Sequence, residues 1–190
     1  MKKEIREVKE GVVRVTTVDE RWYAKTVTDQ TTGLPVWQYV PSVTWITEHY
    51  PKGIGFYKWR ANTCWDESQA IKEAAGDKGS KVHAAITDLL DGHTIAMEAS
   101  YVNPSTGHPE PLTLEEYQAL MTFVAWYERV KPVTKGRDLV VWNETDNYAG
   151  TVDYLCEIDG ALTVVDFKTS KSVWPSHRMQ VSAYKQAVPM

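Results

Sequence analysis

The chain has 190 residues, 21 Lys plus Arg against 25 Asp plus Glu, a formal net charge of −4, two Cys and eight Trp. A hydrophobic share of 43% supports a real core and excludes disorder, while the negative balance argues mildly against a protein that coats nucleic acid non-specifically. Cys64 and Cys156 lie far apart and outside any CxxC spacing, which excludes a zinc ribbon or a four-cysteine iron–sulfur cluster within the chain; both are expected to be buried thiols.

The amino-terminal MKKEIREVKE carries no secretory apolar stretch, and no run approaches the roughly eighteen apolar residues of a membrane span. A soluble protein of the cytoplasm is therefore expected, with no membrane partner. Apolar residues then alternate in the manner of strands: Val13, Val15 and Thr17, next Trp22, Ala24 and Thr26, next Val36 to Val40, with turn signals from Asp29 to Gly33. This predicts a small amino-terminal β lobe over residues 1–40, ahead of a core over 41–190. Pro41 and Ser42 open a short helix that ends before Pro51 and Gly53.

A longer helix is predicted from Asp66 to Leu90, with Val82, Ile86, Leu89 and Leu90 on one stripe and Gly92 as its stop. Gly76 and Gly79 are points at which it could break in two. Residues 101–112, with Pro104, Gly107, Pro109 and Pro111, read as a loop. Thr113 with Glu116 makes a capping box, and Leu114, Tyr117, Leu120, Met121, Val124 and Tyr127 recur at helical spacing as far as Val130. Strands follow at Asp138–Trp142, Tyr148–Ile158 and Ala161–Lys168, and a last helix runs from Pro175 to Ala187.

The strongest local signal is Asp159-Gly160 between the apolar runs YAGTVDYLCEI and ALTVVDFKT, which predicts a two-residue type I′ hairpin. If Ile158 faces Ala161, Asp153 faces Asp166, and Lys168 is the next position on the same side of the second strand. Opposed carboxylates repel by roughly 0.2–1 kcal/mol at an exposed pair. Either Lys168 completes a structural ion-pair triad, or a divalent cation such as Mg²⁺ or Mn²⁺ sits between the two Asp groups. His83 lies beside an apolar stripe, with Gly79 one turn earlier leaving open space near the imidazole; such a residue can equally be a satisfied core histidine. Gln180 and Tyr184, four apart, share one face of the last helix, which the short link through Trp174 and Pro175 keeps near the sheet.

Taken in order, GSKVH (Gly79 to His83), GTVD (Gly150 to Asp153), DFKT (Asp166 to Thr169) and QVSAY (Gln180 to Tyr184) resemble the RecB-like exonuclease branch of the PD-(D/E)XK nuclease superfamily. PSVT at Pro41 to Thr44 and Trp59 also look like the opening segment of phage and prophage proteins of this type. The resemblance implies an α+β fold, a restriction-endonuclease-like core in which helices flank a central mixed β-sheet. It also implies metal-dependent hydrolysis of DNA phosphodiester bonds. His83, Asp153, Asp166 and the backbone carbonyl of Phe167 would be metal ligands for Mg²⁺ or Mn²⁺, two ions during turnover. Lys168 would position or deprotonate the attacking water. Gln180, Tyr184, Arg178 and Trp174 would contact or orient DNA.

Related proteins often carry a Glu on the strand before GTVD; Asp138 stands there as an accessory acid, with Glu144 as the alternative. No counterpart of the iron–sulfur cysteines is present. The chain also ends six residues after Tyr184, which leads one to expect a carboxyl-terminal truncation. The implied partner is DNA at linear ends, single-stranded DNA included, with a recombination or phage protein, in a bacterial or phage-infected cell. An endonuclease on the same core, a DNA-binding module without catalysis, and a structural ion-pair hairpin in an unrelated α+β protein are the competing readings.

The charge is uneven. Residues 61–120 hold three basic and ten acidic side chains, whereas after Asp166 only Lys168, Lys171, Arg178 and Lys185 are charged. DNA contact is therefore expected near the hairpin and the last helix.

Overall fold

A computed structural model of the chain describes residues 4–17 and 19–188. In chain order its elements are β1 (Glu4–Lys9), β2 (Val12–Thr16), β3 (Arg21–Thr28), β4 (Pro35–Pro41), α1 (Val43–Glu48), α2 (Ile54–Asn62) and α3 (Trp65–Leu90). There follow β5 (Ser100–Val102), β6 (Pro109–Pro111), α4 (Leu114–Val130), β7 (Val133–Asn143), β8 (Tyr148–Ile158), β9 (Ala161–Val165) and α5 (Pro175–Ala187). The class is α+β. Among the described residues, no helix is long and apolar enough to cross a membrane.

The chain forms two compact units, one of Met1–Tyr50, Thr134–Asp166 and Ser172–Met190, the other of Pro51–Val133 and Phe167–Lys171. The division does not fall at residue 40, as a separate amino-terminal lobe would require. Strands β1 to β4 do form an antiparallel meander, with the Thr31 and Thr32 amides donating to Asp29 Oδ1 at the β3–β4 turn. However, Tyr23 and Val40 of this meander are buried with Ala149 of β8, and Tyr23 OH lies 2.8 Å from Thr151 Oγ1. The apolar side of β3 and β4 needs cover, and β8 provides it. The chain from Glu4 to Lys9 adds a strand that the alternation of the sequence does not mark, because every side chain of β1 except Val8 is exposed.

In the first unit the second sheet has the order β7-β8-β9. α1 and α5 pack together and against β8, around Val43, Val141, Tyr148, Val152, Leu155, Tyr184, Ala187 and Val188. The pairs β1–β2, β2–β3, β3–β4, β5–β6 and β8–β9 are antiparallel, and Ser42 forms an isolated parallel bridge with Ala149. Short turns join the antiparallel neighbours, and parallel neighbours would need long crossovers.

In the second unit α3 is one continuous helix through Gly76 and Gly79. Each glycine weakens a helix by about 1 kcal/mol relative to Ala without interrupting it. Its far end stops at Gly92, whose φ of 86° suits the left-handed position after a helix. α4 starts with the expected capping box between Thr113 and Glu116. α2 is additional to the expected elements. Within the predicted loop, Ser100–Val102 and Pro109–Pro111 pair as a short hairpin, because Asn103 and Thr106 bind Glu110 across it. Only Cys156 is buried, and burial raises its thiol pKa. Cys64 is exposed, since it caps α3 and accepts the Glu67 amide proton rather than filling a core.

Candidate functional site

The β8–β9 hairpin sets the geometry. Asp159 and Gly160 both take positive φ, 52° and 77°, as a type I′ turn demands. Ile158 faces Ala161, and the pairing runs on through Cys156 with Thr163 to Tyr154 with Val165. The ladder ends there; continued by one step, the same register would set Asp153 opposite Asp166, which lies just past the end of β9. Both residues are half-buried, and Asp166 Oδ1 is shielded from solvent. β9 ends at Val165, three residues short of the expected Lys168. From Phe167 the chain belongs to the other unit, so the placement of Lys168 beside Asp166 does not follow from strand alternation.

Behind this hairpin end lies a buried polar group. Gln180 Nε2 donates to Tyr184 OH at 2.9 Å, and both residues are buried, 9% and 2% exposed. Burial raises the Tyr184 phenol pKa; hydrogen bonds with Gln180 and Thr44 oppose this, and the charge of Asp166 adds to it. The phenol is thus a neutral hydrogen-bonding hub close to Asp166. Gln180 and Tyr184, which the resemblance casts as residues that orient DNA, are thus buried side chains of α5.

Gly150 shows why GTVD and QVSAY occur together. A Cβ at Gly150 would lie 2.5 Å from Tyr184 Cε1, inside contact distance of a ring with no room to move. Gly150→Ala is expected to lower stability by about 1–3 kcal/mol, read from urea denaturation. An unchanged midpoint would mean that Tyr184 is less confined than the structure shows.

PSVT opens α1, as its sequence indicates. Ser42 Oγ accepts the Trp45 amide proton and so caps α1, the Ser42 amide donates to the Arg21 carbonyl, and Thr44 reaches Tyr184. Asp138 is exposed on β7 with a φ of 47°, and Glu144 lies in the β7–β8 turn, ion-paired with Lys25. Trp174 and Arg178 are exposed at the start of α5.

In the second unit His83 is half-buried on α3 with its ring 5.4 Å from that of Phe167, which meets Phe123 edge-on at 5.2 Å. These contacts anchor the segment that carries Lys168, itself exposed. The space beside Gly79 is not open: a Cβ there would touch Thr169 Oγ1 at 3.6 Å. One ion pair of this unit is missed by sequence reasoning. Lys81 Nζ lies 2.9 Å from Glu116 Oε2, each residue only 4% exposed. Its one signal was the capping-box Glu, whose carboxylate also accepts the Thr113 amide proton.

Nearby, burial, and after it the charge and hydrogen bond of Asp88, push Tyr101 up to about 12 from its ordinary 10.0. A raised acid binds its proton more tightly when folded. Its contribution is complete below pH 10 and lost as pH rises through 12. Denaturation midpoints should fall across that window, and Tyr101→Phe should flatten part of the fall; an identical pH profile in the variant would remove Tyr101 as its source.

Among the described residues, no three His, Cys, Asp or Glu side chains converge as a metal cage. Asp153 and Asp166 carry carboxylates, which are hard oxygen ligands. Mg²⁺ is commonly held through one or two carboxylates, with water and substrate phosphate completing the shell, so this donor set fits that ion. No protein-family model matches the chain, and no curated protein matches it.

Proposed function

We propose that the chain is a metal-dependent deoxyribonuclease of the PD-(D/E)XK type, acting as an exonuclease on linear DNA. The observation that carries this reading is the hairpin register, which leads Asp153 and Asp166 to opposite positions at the end of the β8–β9 ladder. Two ionised carboxylates in that relation repel, and a divalent cation between them offsets the repulsion.

In this reading Asp153, Asp166 and the Phe167 carbonyl hold Mg²⁺ or Mn²⁺, with His83 as a further ligand. The ion supplies an activated water and neutralises charge on the phosphate. Lys168 orients that water or takes its proton, and Tyr184, held by Gln180 and Thr44, fixes the position of the Asp166 end. Arg178 and Trp174, both exposed, are placed to meet DNA. Lys168→Ala should remove most of the cleavage; a variant that retains it would refute the role given to Lys168.

End-labelled linear DNA and closed circular DNA, incubated with EDTA, Mg²⁺ or Mn²⁺, test the reading. Label should be lost from linear DNA with metal alone. Nicking of circles would make the protein an endonuclease on the same core. Binding without metal-dependent loss of label would make it a binding module and sink the nuclease reading.

A further inference from the structure

α2 belongs to none of the motifs above, and none of its side chains is buried. Phe56 lies at its centre, with ring centroids 5.6 Å from Tyr57 and 5.7 Å from Trp59. Just beyond, Trp65 is 67% exposed and carries the Arg60 guanidinium over its ring at 4.4 Å. Arg60 also donates to the hydroxyl of the buried Ser68, so the guanidinium is held in place while the far face of the indole stays open. Between Glu48 and Asp66 the sequence has no acidic residue, and it has Lys52, Lys58 and Arg60. A cluster of exposed rings this dense marks a surface that meets something.

We propose that this face of the second unit binds single-stranded nucleic acid. Lys52, Lys58 and Arg60 contact phosphates, and bases stack on Tyr57, Trp59 and Trp65. The stretch from His49 to Trp65 is positive, which suits a polyanion, and the acids Asp66 and Glu67 begin only past Trp65 in the first turn of α3. Rings and cations are interleaved around α2 rather than segregated to opposite sides. A helix lying on a membrane needs one strongly apolar face, which α2 lacks. A second copy of the chain would bring the same three cations against their own kind. A single strand offers what the face offers in complement, alternating flat bases and negative phosphates, and stacking on rings tolerates any base. The inference goes beyond the nuclease reading and does not require cleavage.

Binding of a fluorescein-labelled oligothymidylate to the full chain, measured by anisotropy in EDTA, tests it apart from any hydrolysis. Tyr57→Ala and Trp65→Ala should each weaken binding about tenfold, and Trp65→Phe should restore most of the loss. Lys58→Gln should reduce the slope of log affinity against log salt by about 0.7. Ile5→Ala, at an exposed position on β1, should change nothing. Far-ultraviolet circular dichroism shows whether each variant is folded. Folded Tyr57→Ala and Trp65→Ala proteins that bind like the wild type would overturn the proposal. So would binding to phosphatidylserine vesicles, or Trp65-dependent dimerisation in sedimentation, without binding to the oligonucleotide.

Discussion

Asp166→Asn is expected to lower metal-dependent cleavage by about a thousandfold or more, since it removes a ligand charge where the phosphate gains charge. The substitution keeps the size of the side chain, so a fold defect is a poor explanation for the loss. A second measurement separates a metal ligand from a member of a structural ion network. Mg²⁺ at a hundred times its dissociation constant adds about 2.7 kcal/mol to the stability of a protein that binds it only when folded. Wild type should gain that increment, and the variant should gain much less. An equal gain in both would show that Mg²⁺ does not depend on Asp166, and the proposed roles of Asp153 and Asp166 would fall together.

Lys81→Met carries the largest expected effect on stability. The substitution leaves Glu116 buried and charged with no ammonium beside it, and breaking one side of such a pair destabilises by about 3–5 kcal/mol. Glu110, whose carboxylate also lies 3.9 Å from the Lys81 ammonium, is an acid and cannot replace it. Adding Glu116→Gln should recover most of the loss. Glutamine removes the stranded charge yet keeps an oxygen to accept the Thr113 amide proton, so the capping box of α4 survives. Chemical denaturation followed by tryptophan fluorescence reads both variants. A double variant no more stable than Lys81→Met would mean that packing of the lysine stem, not its charge, holds α3 against α4.

Neither the Lys81–Glu116 pair nor the buried state of Gln180 and Tyr184 could be read from the sequence. A lysine three residues after Lys78, and a polar pair at helical spacing, resemble helix surface. Burial is decided by what the rest of the chain brings up to them. The same holds for Cys64, which looks like a core thiol and serves as an exposed cap, and for the end of β9. Strand propensity runs on past Val165, but Phe167 has ring partners in His83 and Phe123, distant in sequence. The β1–β4 meander, expected to stand apart, shares a core with β8 through Tyr23, Val40 and Ala149.

What the sequence determined by itself was local. Asp159-Gly160 specified the turn and hence the register from Ile158 with Ala161 to Tyr154 with Val165, because only a pair tolerant of positive φ closes a two-residue hairpin. Thr113 with Glu116 specified the start of α4, Pro175 the start of α5 and Gly92 the stop of α3, each through backbone groups within one turn. Tertiary structure alone decided which of these elements share a unit, which polar side chains are buried, and where Tyr184 meets Gly150. Those outcomes depend on surfaces brought together by chain segments well separated in sequence, and no short stretch of sequence contains both sides of such a contact.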